Sequence, residues 1–185
     1  REPYFLYVGT LQPRKNLARL IEAYARAVRS GGDAGPAAWP LLAIAGRRGW
    51  LTETIERRAA QLGIADRVRF LGYVPDADLP ALLSGATAFL FPSLYEGFGM
   101  PVLEAMACGT PVLTSSTSAL PEVAGDAALL VDPGDTDAIA DAIARLAADP
   151  GLRAELRGRG LARAAQFTWE RCARETRAVL LGALG

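Results

Sequence analysis

Tyr4-Phe5-Leu6-Tyr7-Val8, then Gly9-Thr10-Leu11-Gln12-Pro13-Arg14-Lys15-Asn16, then Leu17 to Val28: this stretch decides how the chain is read. Five apolar residues closed by a glycine predict a strand buried on both faces. Beyond the loop, Leu17, Leu20, Ile21, Tyr24 and Val28 recur at three-to-four spacing and predict a helix with one apolar stripe. The alternation continues outward. Leu41–Ala45, Val68–Leu71, Ala88–Phe91, Val112–Thr114 and Ala128–Val131 predict further strands of the same doubly buried kind. Thr52–Leu62, Asp78–Leu83, Pro101–Ala107 and Leu120–Val123 predict helices. Such alternation implies an α/β fold, a doubly wound parallel sheet of about six strands with helices on both faces. After Thr136 only helical segments follow, Asp137–Ala147, Leu152–Gln166 and Trp169–Leu181, forming a C-terminal tail. Asp135 or Thr136 caps the first and Thr168 the third, while Pro150-Gly151 reads as a break before the second. Ser30-Gly31-Gly32-Asp33-Ala34-Gly35-Pro36 reads as an exposed loop. No second boundary is visible, so residues 1–185 are expected to form a single domain.

Composition narrows the chemistry. Of the 185 residues 51% are hydrophobic and 22% charged, and 20 basic against 20 acidic residues give a formal net charge of zero. A chain of this length can bury a sizeable core without staples, and its charge balance argues against a nucleic-acid partner or a polybasic membrane patch. Without histidine the chain can build no Ser-His-Asp triad, Cys-His pair or His-ligated zinc. Cys108 and Cys172 have neither disulfide-framework nor metal-ligand spacing; they imply a reducing compartment and read as small buried hydrophobes. No apolar run reaches the roughly 18 residues of a membrane span, and the start lacks a signal-peptide pattern; a cytoplasmic location is expected. The first residue is Arg rather than Met, from which a piece of a longer protein is expected.

In a Rossmann-like sheet the ligand sits beyond the carboxyl ends of the strands, where strand order reverses. The loops that follow strands are therefore the candidate sites. Gly9 permits close approach, and Arg14-Lys15 place two cations just before a helix start, a combination suited to phosphate. The plainer reading of such a pair is a solvated face. That loop holds neither G-x-G-x-x-G, nor G-x-x-x-x-G-K-[ST], nor the acidic cluster of a phospho-acceptor domain. The densest signal runs from Phe91 to Pro111. Gly97 and Gly99 let backbone amides face a ligand, Pro101 suits a first helical turn, and Gly109 serves as a stop. Glu96 in the loop and Glu104 one turn into the helix lie near its positive end. A carboxylate can accept two hydrogen bonds from vicinal sugar hydroxyls, each of about 1.5–3 kcal/mol. Taken singly, a solvated Glu96 and a helix-start Glu104 are the plainer readings.

The block Glu96-Gly97-Phe98-Gly99-Met100-Pro101-Val102-Leu103-Glu104-Ala105-Met106-Ala107-Cys108-Gly109-Thr110-Pro111-Val112 resembles the E-x7-E region of retaining glycosyltransferases of the GT-B architecture, family four. Val8 to Leu17 is similar to that family's donor-phosphate loop. Ile44-Ala45-Gly46-Arg47-Arg48-Gly49-Trp50, Phe70-Leu71-Gly72-Tyr73-Val74-Pro75, Leu120-Pro121-Glu122-Val123 and Val131-Asp132-Pro133 fall where the family places them, so the resemblance runs from Tyr4 to Leu180. It implies transfer of a hexose from a nucleoside diphosphate donor with retention, without metal or other cofactor. By position, it implies that Lys15 with Arg14 neutralises the donor diphosphate and that Glu104 binds the ribose hydroxyls. Glu96 would contact the donor sugar near the reacting carbon, as the catalytic candidate. The backbone of Tyr73 and Val74 would hold the base, and the amides of Phe98, Gly99, Met100, Val102 and Leu103 would line the pocket, Pro101 having none. Gly9, Thr10, Gly46 and Gly97 complete the implied nucleotide-sugar site. The phosphate loop is similar to that of members using GDP-mannose.

Two departures from the family pattern matter. Thr10 stands where many relatives have arginine, so Arg14 becomes the expected substitute. The chain also matches only the carboxyl-terminal, donor-binding half of a two-domain enzyme; the amino-terminal acceptor domain, which commonly supplies a histidine, is absent. The expectation is a domain that binds donor nucleotide and transfers little or nothing alone. Its partners would be the donor and the missing domain, the full enzyme being open to peripheral contact with the inner face of a membrane. A GT-B epimerase-like enzyme and a non-catalytic module of the same fold remain alternatives. Arg47-Arg48 read as solvated or interdomain, Trp169 as packing, and the apolar stripe of the last helix as partly uncovered and prone to self-association.

Overall fold

The computed structural model describes residues 2–31, 39–47 and 52–183. Its strands are β1 (Tyr4–Val8), β2 (Leu41–Ala45), β3 (Val68–Gly72), β4 (Ala88–Phe91), β5 (Val112–Ser115) and β6 (Ala128–Val131). They form one sheet in the order β3-β2-β1-β4-β5-β6, parallel throughout. The α-helices are α1 (Leu17–Ser30), α2 (Thr52–Gln61), α3 (Leu79–Ser84), α4 (Met100–Ala107), α5 (Leu120–Ala124), α6 (Thr136–Ala148), α7 (Pro150–Ala164) and α8 (Trp169–Gly182). Each strand lies within one residue of its predicted bounds at either end, and the α/β class is as expected.

The apolar runs work differently in the centre and at the edges. All residues of β2, β4 and β5 are buried, as strands covered by helices on both faces must be. The expectation that β3 and β6 share this burial is corrected. Arg69 and Leu71 of β3 and Leu130 of β6 are exposed, because an outermost strand gains cover from fewer neighbours. In α1 the stripe Leu17, Leu20, Ile21, Tyr24 and Val28 is buried as predicted, each large side chain contributing about 1.5–3 kcal/mol. Ala23, Ala25 and Ala27 are buried beside it, since α1 packs against both α2 and α6. On another part of the sheet α4 packs against α3, α5 and α7.

The helical tail brings further corrections. Asp135 caps α6 and Thr168 caps α8 through side-chain oxygens. The break expected at Pro150-Gly151 falls at Asp149, which caps a helix that starts at Pro150 rather than Leu152, at a position where the missing N–H is harmless. Trp169 does not pack but is exposed, and no residue of α8 is buried, Cys172 included. Cys108, at the end of α4, is half-buried. An amphipathic period identifies an apolar face; it does not say what covers it. Of the predicted loop, Ser30 ends α1, and Gly32–Pro36 lies outside the described residues, as does Arg48.

Where β1, β2 and β3 end, their backbones step together. Gly9 N donates to Ala45 O at 2.9 Å and Gly46 N donates to Gly72 O at 2.8 Å. Gly46 has φ +155°, and a Cβ there would lie 1.9 Å from Gly9 O. Gly46→Ala should therefore force the first loop off the sheet, at a cost of about 1–3 kcal/mol and some 2–4 °C of Tm per kcal/mol. Gly63→Ala is the control, also left-handed at φ +70° but with nothing within 4 Å. A thermal melt should show the smaller loss for Gly63→Ala; equal losses would mean that the contact with Gly9 is unimportant.

Candidate functional site

The strand order reverses between β1 and β4, so the loops leaving those strands border a crevice at the carboxyl edge of the sheet. After β1 the chain makes a single 3-10 turn, Pro13–Lys15, and then Asn16 adopts the left-handed conformation (φ 60°, ψ 27°) before α1 begins. That kink turns Lys15 inward, where it is buried. Its Nζ donates to Glu96 Oε1 at 2.6 Å and lies 4.6 Å above the Phe91 ring centroid. Ser93 Oγ donates to the same oxygen at 2.7 Å, and Arg14 Nη1 to Oε2 at 2.8 Å.

Glu96 is therefore not the solvated loop residue of the plainer reading, and Lys15 is not part of a solvated face. Burial by itself would raise the Glu96 pKa. The hydrogen bonds from Lys15, Ser93 and Arg14 outweigh it and hold the carboxylate below its ordinary 4.5. One carboxylate faces two cations, leaving the cluster net positive. The Arg14 side chain, 47% exposed, carries that surplus to the surface.

Three short-range braces hold the loops in register. Asn16 Nδ2 donates to Pro92 O at 3.0 Å and to Pro133 O at 2.8 Å, joining the loops after β1, β4 and β6. Leu94 N donates to Arg14 O at 2.8 Å. Glu96 N donates to Ser118 Oγ at 3.1 Å, and Ser118 itself is left-handed at φ 58°. Neither α1 nor α4 has a side-chain cap at its amino end, in contrast to α6, α7 and α8.

The other predicted residues divide into those near the crevice backbone and those committed to the core. Gly9 and Gly46 meet at the strand ends, with Thr10 exposed beside them. Tyr73 is exposed and its ring lies 5.2 Å from the Arg47 guanidinium carbon, giving Arg47 an aromatic partner; Val74 is half-buried. Gly97, Phe98 and Met100 are exposed, and Gly99 begins α4 in a left-handed conformation. The Val102 and Leu103 side chains belong to the core, and the Val102 amide is taken by Gly99 O at 2.9 Å. Glu104 is exposed on α4 and has no ion pair among the described residues. A groove of about 690 Å³ lined by Tyr4, Leu71, Val74 and Leu82 runs beside α3; it shares only Val74 with the predicted site.

Sequence reasoning assigned no role to Asn16, Ser93 or Ser118. Asn16 carried a usable signal, since asparagine tolerates the left-handed region and marks turns. Ser118 did not, because 22 residues separate it from the amide that donates to it, and Ser93, three residues from Glu96, is one of several loop serines with no distinguishing pattern. Among the described residues no three His, Cys, Asp or Glu are placed to hold a metal ion, and no helix is long and apolar enough to cross a membrane.

Comparison with known proteins identifies a family and a fold. The sequence model of the family described as "Glycosyl transferases group 1" matches residues 1–163. The chain is 44% identical over 173 residues to O-antigen chain mannosyltransferase B of Escherichia coli, covering 94% of this chain and 44% of that protein. In fold it is similar to Anabaena HepE in complex with UDP and glucose, with a TM-score of 0.83 at 23% identity over 98% of this chain and 49% of that one. It is also similar to the C-terminal domain of a glycosyl transferase group 1 family protein (LpcC) from Francisella tularensis, with a TM-score of 0.76 at 24% identity over 89% of this chain and 87% of that one. The chain thus spans less than half of the E. coli relative.

The lowered pKa of Glu96 fixes the sign of a pH effect. A carboxylate depressed in the folded state contributes stability above its unfolded value and loses it as pH falls through the folded value. Glu96→Gln leaves Lys15 buried with its charge uncompensated, so at pH 7 it should be less stable than wild type by about 3–5 kcal/mol. That gap should narrow as pH falls below 4.5. Urea unfolding from about pH 7 to pH 3 checks this; parallel curves would show that the ion pair contributes nothing.

Proposed function

The chain belongs to the glycosyl transferases group 1 family, and on that premise we propose that it is the donor-binding domain of a retaining GT-B glycosyltransferase of family four, taking a nucleoside diphosphate hexose between β1 and β4. The observation that carries this reading is the buried Lys15–Glu96–Arg14 cluster at the point where strand order reverses. In this reading Arg14, with donors to spare, meets the diphosphate first. Lys15 then divides its three N–H groups between Glu96 and a phosphate oxygen.

As the bond between the anomeric carbon and the diphosphate breaks, negative charge grows on the leaving group. Buried Lys15 and half-exposed Arg14, both already fixed on Glu96, and the amino ends of α1 and α4 bind that charge more strongly as it develops. Glu96, aimed by Ser93 and Ser118, receives hydroxyls of the donor sugar. Glu104, unpaired and exposed, takes the ribose diol, and the backbone at Tyr73 and Val74 meets the base. These roles involve no metal ion. The identity to a mannosyltransferase and the form of the phosphate loop favour GDP-mannose as donor. The acceptor wall belongs to the part of the longer relative that this chain does not span, and that part is the proposed cover of the apolar face of α8. The chain alone is then expected to bind donor without turnover.

A thermal shift across GDP, UDP, ADP and CDP, with and without EDTA, tests the reading. A ligand at 100 times its Kd stabilises by about 2.7 kcal/mol, which is several degrees for a domain of this size. GDP is expected to give the largest shift, unchanged by EDTA. Lys15→Met, which keeps the buried aliphatic stem, should weaken GDP far more than guanosine. Glu104→Gln should weaken both and leave pyrophosphate unaffected. No shift with any nucleotide would overturn the proposal.

A further inference from the structure

The segment between Glu96 and α4 is held at both ends and bare in the middle. The Glu96 amide donates to Ser118 Oγ, and Gly99 lies against Leu120, whose Cδ2 would be 2.7 Å from a Cβ there. Between them, a Cβ on Gly97 would meet nothing within 4 Å, and the Gly97 and Phe98 amides donate to no described residue. Glycines on both sides of Phe98 give the segment wide backbone freedom, so its order depends on what the Phe98 side chain meets. That side chain meets Phe167 edge to face, with ring centroids 6.1 Å apart and planes at 81°. Phe167 stands between α7 and α8, its amide donating to Ala164 O at 3.0 Å, just before the Thr168 cap. Arg163 fixes it there. The guanidinium carbon lies 4.8 Å from the Phe167 ring centroid, while Nε donates to Val123 O at 3.0 Å and Nη1 to Gln166 Oε1 at 2.8 Å. Leu120 and Val123 both belong to α5, so the contacts close a circuit from Gly99 through α5, Arg163 and Phe167 back to Phe98.

We propose that Phe167 is a positioning residue that clamps Phe98, so that the Gly97-Phe98 segment and its unbonded amides keep one conformation before a ligand arrives. This rests on the donor-site reading above, in which the Phe98 amide lines the pocket. Both rings stay partly exposed, Phe98 at 44% and Phe167 at 37%, so the pair lies outside the core and the fold does not depend on it. Its effect falls on the loop instead. A loop ordered in advance binds without losing freedom on contact. An aromatic pair of this geometry strengthens an interaction by about two- to tenfold beyond its buried area. The clamp comes from the helical tail, which makes donor affinity depend on residues that line no part of the crevice.

Amide nitrogen relaxation on this chain tests the clamp without ligand. In wild type the Gly97 and Phe98 amides are expected at order parameters of about 0.85, falling below about 0.6 in Phe167→Ala, while the Gly63 amide in another loop stays unchanged. Phe167→Tyr keeps the ring and should restore the wild-type values. A Phe167 that merely packs would lower Tm on substitution by alanine and leave the loop as ordered as before, which would overturn the clamp. Phe98→Ala removes the other ring and gives the same reading should Phe167→Ala not fold. In a second arm GDP is titrated. Phe167→Ala should bind it about two- to tenfold more weakly and Phe167→Tyr like wild type. In the Phe98→Ala background, where no ring remains to hold, Phe167→Ala should cost nothing further; an equal loss in both backgrounds would overturn the clamp. If wild type binds no nucleotide but the loop loosens in Phe167→Ala, the donor-site reading falls while the clamp stands. If wild type binds GDP and Phe167→Ala binds it equally well, the clamp falls alone.

Discussion

A buried carboxylate needs neutralising donors, and the site is arranged around meeting that need for Glu96. Its three donors come from two segments separated by about eighty residues of sequence, Arg14 and Lys15 after β1 and Ser93 after β4. The pairing is worthwhile only if both loops are held in place, since a lysine buried without its partner would cost several kcal/mol. The loops accordingly carry braces that are independent of the ion pair, through Asn16 to Pro92 and Pro133 and through Ser118 to the Glu96 amide. Left-handed backbone at Asn16 and Ser118, uncommon away from glycine, stands at the two places where the chain must turn a functional side chain into the crevice.

The same arrangement makes the crevice electrostatically asymmetric. Two cations face one carboxylate, the half-exposed Arg14 leads outward, and the two neighbouring helices present uncapped amino ends. Cations and helix amino ends fixed in this way form a preorganised positive field. Glu104 is exposed on α4 and has no ion pair among the described residues, so its carboxylate acceptors are free.

Much of the fold was legible because local rules and tertiary packing agree. In β1, β2 and β4 an apolar run of four or five residues reads as a strand covered on both sides, and its inner residues are buried; β5 is buried throughout although two of its four residues are polar. The caps at Asp135 and Thr168 were readable because each acts on an amide within three residues. The readings that failed concern what an element meets rather than what it is. β3 and β6 were expected to be covered but lie at the edges, and Trp169 was expected to pack but is exposed on α8, whose apolar stripe is uncovered as expected.

In the site, the chain by itself determined which residue types were available: two cations before a helix, two carboxylates eight positions apart, and no histidine at all. Those are properties of composition and spacing, and taken alone they left a solvated face the plainer reading. Only the tertiary structure decided that Glu96 is buried and shared among Lys15, Arg14 and Ser93, that Asn16 ties three loops together, and that Phe167 of the tail meets Phe98 of the crevice loop. The reason is physical. Burial and pairing depend on strand order in the sheet, and the adjacency of β1 and β4 across some eighty residues of chain is set by packing of the whole domain, on which no local pattern reports.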